Sequence, residues 1–268
     1  MPAEGVVDAS TGDGVAPRLW RAVVVIGGML IAWEIAVRLA AIPPFLLPSP
    51  RAVLATLVER RALLLRHAGV TLAEIVLGLT LGCAAGIAAG AALAASPAAR
   101  RWLLPLVVSS QAIPVFAIAP LLVLWLGYGI ASKIAMATLV IFFPVAVAAF
   151  DGLAQTPTHW IDSARIMGAS RLQLLLRVRL PAALPTLASG LRVAAAVAPI
   201  GAVIGEWVGA AEGLGFVMLQ ANARMQTDLM FAALFVLAVT AALLFLLVDA
   251  IAVRVVHWVP RTSLRSEK

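Results

Sequence analysis

Four acidic residues sit in long apolar runs or at their edges: Glu34, Glu74, Glu206 and Asp249. Charge in hydrocarbon is costly, so such acids mark ion or substrate pathways unless a nearby helix end lets them reach the interface. All four fall near the expected ends of apolar segments, and no segment carries two acids on one face. Gln111, close to Pro114 and Phe116, is placed mid-run, where a proline interrupts the backbone hydrogen bonds and a polar group is expensive. Glu206 and Trp207 close a later run. Gln111, Pro114, Phe116, Glu206 and Trp207 are therefore the candidates for lining a pathway.

Other chemistry finds no residues to perform it. A phosphate-binding P-loop needs glycine directly before its lysine. The chain has two lysines, and Lys133 follows Ser132 while Lys268 follows Glu267. His67, His159 and His257 lie far apart, without metal-ligand spacing. The lone Cys83 lies in an apolar run and reads as a small buried residue. No catalytic residue, metal or cofactor is expected, and an enzyme is not. The net charge of +7 and pI near 11.1 come from basic residues scattered in ones and twos, with no stripe. That scatter argues against nucleic acid as a partner.

The elements that must hold these residues follow from composition. Of 268 residues, 63% are hydrophobic and 12% charged, against about half and a quarter in soluble domains. At about 20 residues per crossing, the chain holds roughly six spans. They are expected at about 19–39, 69–94, 102–126, 131–150, 186–208 and 229–253. The fold class is an all-α membrane protein with the lipid bilayer as its solvent. Residues 1–17 carry Glu4, Asp8 and Asp13 where a cleavable signal would be basic, and read as a polar cytoplasmic tail. Residues 18–258 form one transmembrane domain, and 259–268 a basic cytoplasmic tail.

Six spans put both termini on one side, and with the N-terminus inside, thirteen of the 20 basic residues lie inside. Residues 42–66 open with IPPFLLPSP, whose prolines forbid a continuous helix, and continue as a short basic amphipathic helix in the interface. Gly78, Gly82, Gly86 and Gly90 repeat every four residues, a smooth face on which another helix can pack within or between subunits.

The interior stretch 151–184 is the longest polar, basic segment between spans. Thr156 with Pro157 can start a helix. Trp160, Ala164 and Met167 share one face of it, with Ile161 adjacent. Gly168 suits its C-terminal turn. Ser170 can start a second helix, which Pro181 is expected to end. A short helix, a glycine break and a second helix make a docking element for a soluble partner.

This segment resembles the cytoplasmic EAA signature of ABC importer permeases. The signature reads Glu-Ala-Ala, three residues, Gly, nine residues, Ile-x-Leu-Pro. The chain has Asp162-Ser163-Ala164, then Gly168, then Val178-Arg179-Leu180-Pro181, at the same spacings. Asp for Glu, Ser for Ala and Val for Ile are the departures. LPSP, IPVFAIAPLLVLWLGYG and the EGLG loop further resemble the sulfonate, nitrate, taurine and pyrimidine branch. GEWVGAAEGLGFVMLQANARMQTDLMFAALF is most similar to permeases for thiamine-precursor pyrimidines such as hydroxymethylpyrimidine.

The resemblance implies a type I ABC importer permease fold with six transmembrane helices and a cytoplasmic coupling helix. It implies a prokaryotic inner-membrane protein that forms the path for a small polar solute. Two cytoplasmic ATP-binding subunits, an extracytoplasmic substrate-binding protein and a second permease copy, giving a homodimer, are the implied partners. ATPase coupling is carried over to Asp162, Ser163, Ala164, Met167, Gly168, Leu180 and Pro181. The alternatives are an aliphatic sulfonate, taurine or nitrate permease, an ion-coupled secondary transporter, and a membrane scaffold or membrane enzyme.

Overall fold

The computed structural model describes residues 15–110 and 113–258. All regular elements among them are helical. Helix α1 (Val15–Leu39) leads to a turn and then α2 (Pro50–Glu59). The LPSP segment starts α2: Ser49 accepts a hydrogen bond from the Ala52 N–H at 3.3 Å and Pro50 takes the first turn. Only Arg60 separates α2 from α3 (Arg61–Ala95). Then come α4 (Pro97–Ser110), α5 (Val115–Leu126), α6 (Ile130–Ala154) and α7 (Thr158–Ile166). Next are α8 (Arg171–Leu174), a π-helical turn (Leu175–Arg179), α9 (Leu180–Gly209), α10 (Leu214–Ala223) and α11 (Thr227–Val255).

Four stretches are long and apolar enough to cross a membrane alone: Arg61–Ala95, Ile130–Ala154, Arg171–Gly209 and Thr227–Val255. They match four of the six expected spans. The other two map to α1, 25 residues long, and to the pair α4 and α5, which meet near Pro114. The span expected at 102–126 is therefore two helices. Gln111 lies outside the described residues.

Three boundaries differ from expectation. The second span begins at Arg61, because its first two turns, with Arg61, Arg66 and His67, are helical although polar. Thr156 does not cap α7. Its hydroxyl donates to the Leu153 carbonyl at 3.2 Å, closing the end of α6. Pro181 does not end the second helix of the docking segment, which continues into the fifth span as one 39-residue helix, Arg171–Gly209. The π turn explains how. A proline inside a helix lacks an N–H and clashes with the carbonyl four residues back. Here the turn widens just before Pro181, the Leu180 N–H reaching back five residues to the Leu175 carbonyl, and the helix resumes.

The core is α6 gripped between α3 and α9. Ile75, Ala137, Ile141, Val145, Ala194, Ala198 and Ala202 form its buried centre. The glycine stripe of α3 faces α6 within the subunit. A Cβ at Gly82 would lie 2.7 Å from Ile141 Cγ2, and one at Gly90 2.6 Å from Ala149 Cβ. On the other face of α6, a Cβ at Gly201 of α9 would lie 2.8 Å from the Ala137 Cα. Without side chains at these points the backbones approach closely, which is how helices associate where lipid offers no hydrophobic drive.

Smaller clusters complete the bundle. Val53, Leu64, Leu214, Val217, Ala232 and Ala233 join α2, α3, α10 and α11. Two hydrogen bonds tie the α2 region to α11, from Thr56 Oγ1 to Asp228 at 2.6 Å and from Thr227 Oγ1 to the Pro44 carbonyl at 2.7 Å. Helix α1 stands at the periphery with Trp20, Val23, Met29 and Ile31 exposed, and touches the bundle through Trp33, its ring tilted against that of Phe231 with 5.7 Å between centroids, and through Glu34, 3.8 Å from Arg51 of α2.

Candidate functional site: a docking segment and a buried polar lock

Two sites occupy opposite ends of the 39-residue helix. The first is built from α7, Gly168 and α8. Helix α7 ends in a Schellman motif. The Gly168 N–H bonds the Arg165 carbonyl at 2.9 Å, and the Ala169 N–H bonds the Ala164 carbonyl at 3.0 Å. This geometry needs the left-handed conformation that Gly168 adopts, φ +79°. Two residues later a capping box opens α8. The Ser170 hydroxyl accepts from the Gln173 N–H at 3.3 Å, and the Gln173 side chain accepts from the Ser170 N–H at 2.9 Å. Both backbone ends at the corner are thus hydrogen-bonded, and the corner is rigid.

Ile161 is buried and fastens α7 to the bundle. The facing side is open: Trp160 is half exposed, and Ile166 and Met167 are each 86% exposed. A groove of about 690 Å³ runs between α7 and the start of α9. Ser163, Ala164, Met167 and Pro181 line it, beside Trp160 and Arg177. Asp162 and Gly168 sit outside the groove, Asp162 paired with Arg165 at 3.4 Å on the exposed side. Leu180 is half-buried at the start of α9 and does not line the groove.

The second site is a polar cluster where α3, α6 and α9 meet the start of α10. Helix α10 begins after Gly213, whose φ is +113°. The free N–H groups of its first turn are all taken. Gly213 N–H donates to His67 Nδ1 at 2.9 Å, and Leu214 N–H to Thr71 Oγ1 at 2.8 Å. Gly215 and Phe216 N–H donate to Glu206 Oε2 at 2.5 and 3.3 Å. Thr71 Oγ1 in turn donates to Glu206 Oε1 at 2.6 Å. A carboxylate at the positive end of a helix is favourably placed. A Cβ at Gly213 would overlap the Glu206 carboxyl, so the glycines of the EGLG loop make room for it.

Lys133 closes the matching C-terminal end. Its ammonium donates to the carbonyls of Tyr128, Gly129 and Gly209, the last being the end of α9. Glu74, Lys133 and Glu206 are each at most 2% exposed. The expectation that the four acids reach the interface therefore fails for Glu74 and Glu206, which helix packing encloses. Glu34 pairs with Arg38, and Asp249 of α11 with Arg192 of α9 at 2.6 Å. A cleft of about 560 Å³ opens beside the cluster, lined by Arg66, Glu74, Tyr128, Lys133 and Glu212.

Among the described pathway candidates, Glu206 alone belongs to this cluster. Pro114 precedes α5, while Phe116 of α5 and Trp207 of α9 are exposed, 54% and 43%. These two helices pack through Ala119, Leu122, Ile204 and Val208. Sequence reading missed His67, Thr71, Gly213, Gly215 and Lys133 as members of one site. The spacing of His67 and Thr71, one helical turn apart, was the available signal.

The structure is a helical bundle with several apolar helices long enough to cross a membrane, an exposed corner at one end and enclosed charge at the other. The chain belongs to the family described as the binding-protein-dependent transport system inner membrane component, matched over residues 78–260. It is therefore a multi-pass permease subunit of an ABC importer, and not an enzyme.

It is 52% identical over 232 residues to a probable ABC transporter permease of Haemophilus influenzae, covering 87% of this chain and 95% of that protein. It is 38% identical over 218 residues to the formylaminopyrimidine transport permease ThiX of Halalkalibacterium halodurans, covering 81% and 87%. It is 40% identical over 232 residues to the riboflavin permease RibX of Chloroflexus aurantiacus, covering 86% and 87%. Taurine and aliphatic sulfonate permeases are also among its relatives, which places it in the branch the motifs resemble. A structure of the methionine ABC transporter MetNI in an inward-facing conformation superposes with a TM-score of 0.64 at 24% identity. It covers 74% of this chain and 98% of that one, and the shared fold is that of type I permeases.

Proposed function

We propose that this permease carries a planar nitrogen heterocycle, a thiamine-precursor pyrimidine first among them, and takes its power stroke from an ATPase docked on α7. The rigid corner at Gly168 is the observation that carries the docking half. A Schellman end, an 86%-exposed Met167 and a groove lined by Ser163, Ala164 and Pro181 form a fixed knob with an adjoining socket. A loop would absorb a push, and this corner transmits it. Asp162 and Arg165 flank the knob as a charged pair that orients the partner. Both termini and α7 then lie on the cytoplasmic side. Two copies of the chain work with two ATPases and an external binding protein.

The substrate half rests on kinship. Relatives at 38% and 40% identity are named for formylaminopyrimidine and riboflavin, both nitrogen heteroaromatics. An aliphatic sulfonate is the second reading, favoured by the taurine permease among the relatives. Vesicles containing the permease, its ATPase and its binding protein should take up labelled hydroxymethylpyrimidine when ATP is supplied. Uptake of taurine but not of the pyrimidine would replace the first reading with the second. Uptake driven by an ion gradient without ATP would remove both.

A further inference from the structure

At the α7 end of the bundle, on a face of α6 separate from the docking groove, Arg100, Arg101 and Arg179 line a pocket of about 420 Å³. Leu93, Pro97, Phe150 and Leu153 supply its apolar wall. The pocket and the groove share no lining residue. Among the described residues no carboxylate lines the pocket and none of the three guanidinium groups is in an ion pair. Arg100 is held over the Phe150 ring, 5.5 Å from its centroid, which fixes the group without neutralising it. Arg179 Nε is buried and finds no acceptor in the protein. A charged side chain without an anionic partner is costly to keep at a half-buried position, and the Arg179 side chain lines the pocket. The 14-residue helix α4 also opens here at Pro97, adding the positive end of its dipole.

We infer that this pocket binds the phosphate of an anionic phospholipid. Three cations around one pocket and a helix N-terminus call for an oxyanion. The lipid source follows from what adjoins them. Trp102 and Leu103, directly after the two arginines on α4, are 74% and 48% exposed and give an acyl chain an apolar surface beside the phosphate. The pocket also lies where the apolar helices α3 and α6 end, the depth of a headgroup.

Native mass spectrometry of the purified permease, titrated with phosphatidylglycerol and separately with phosphatidylcholine, tests this. The parent should retain phosphatidylglycerol preferentially. Arg100→Gln and Arg101→Gln, both at exposed positions, should each weaken that retention about fivefold, and together abolish the preference. Arg254→Gln, elsewhere on α11, should leave it unchanged. Arg179→Gln should act like the other two, but the test stands without it if that variant folds poorly. Equal retention of the two lipids, or unchanged retention in the Arg100 and Arg101 variants, overturns the proposal. Displacement of the lipid by millimolar inorganic phosphate overturns the lipid assignment and makes the pocket a soluble-oxyanion site. All these outcomes are read without transport, so they stand apart from the success or failure of the substrate reading.

Discussion

Gly168→Ala isolates what the rigid corner between α7 and α8 contributes to the proposed ATPase docking. A Cβ built on Gly168 meets no atom of the chain within 4 Å, so alanine adds no internal clash. What it adds is backbone strain at φ +79°. An L-residue in that region costs about 1–2 kcal/mol, a factor of roughly 5–30 in how often the corner adopts its shape. Gly168→Asn should recover most of that loss, because asparagine tolerates the left-handed region. Gly168→Asp adds a charge beside the exposed Met167 and should be the most damaging. The assay has two arms: co-purification of the ATPase with each variant, and ATP-dependent uptake in vesicles. The expected order is glycine, asparagine, alanine, aspartate. If alanine matches the parent in both arms, the corner is not a rigid coupler. If asparagine is as poor as alanine, a close approach of the partner at residue 168, rather than backbone conformation, governs the site.

Glu206→Gln keeps the shape but puts an NH2 donor in place of one of the two carboxyl oxygens that accept from Thr71, Gly215 and Phe216, and should cost about 1–3 kcal/mol, seen as a lower melting temperature in detergent. Gly86→Leu should fail to assemble the bundle, because even a Cβ there would lie 2.9 Å from the Phe142 carbonyl oxygen; normal yield and uptake would contradict the packing of α3 on α6. Asp249→Asn should lower stability by leaving Arg192 without its partner, and Arg192→Gln added to it should restore part of the loss. A double variant less stable than Asp249→Asn alone would show that the pair does not act as a unit.

The legible parts of this fold share a physical character: they are encoded locally. Apolar runs of membrane length announced α3, α6, α9 and α11, and Gly168 and Ser170 announced the corner because turn and cap chemistry acts over four or five residues. The misread parts depend on something further away. Pro181 looked like a stop, since sequence does not reveal that a widened turn can carry a helix through it. Thr156 looked like a cap, but the end of α6 claimed its hydroxyl. The polar lock joins Thr71 to residues 206 and 214, and no local pattern states such a pairing. The glycine stripe of α3 gave its own smoothness but not its partner, which the packing on α6 supplies.

The helix Arg171–Gly209 begins at the Gly168 corner and ends where the Lys133 ammonium meets the Gly209 carbonyl, roughly 58 Å away at 1.5 Å per residue. Its two ends are bound by phase as well as by reach. Each residue turns a helix by about 100°, so a single residue inserted between 182 and 198 would lengthen it trivially yet swing Glu206 away from α10 by more than a quarter-turn. The count of residues between Ser170 and Glu206 therefore acts like the timing of a crankshaft. Corner and lock keep their present partners only at this residue count, and the π turn at 175–179 is part of what sets the angle between them.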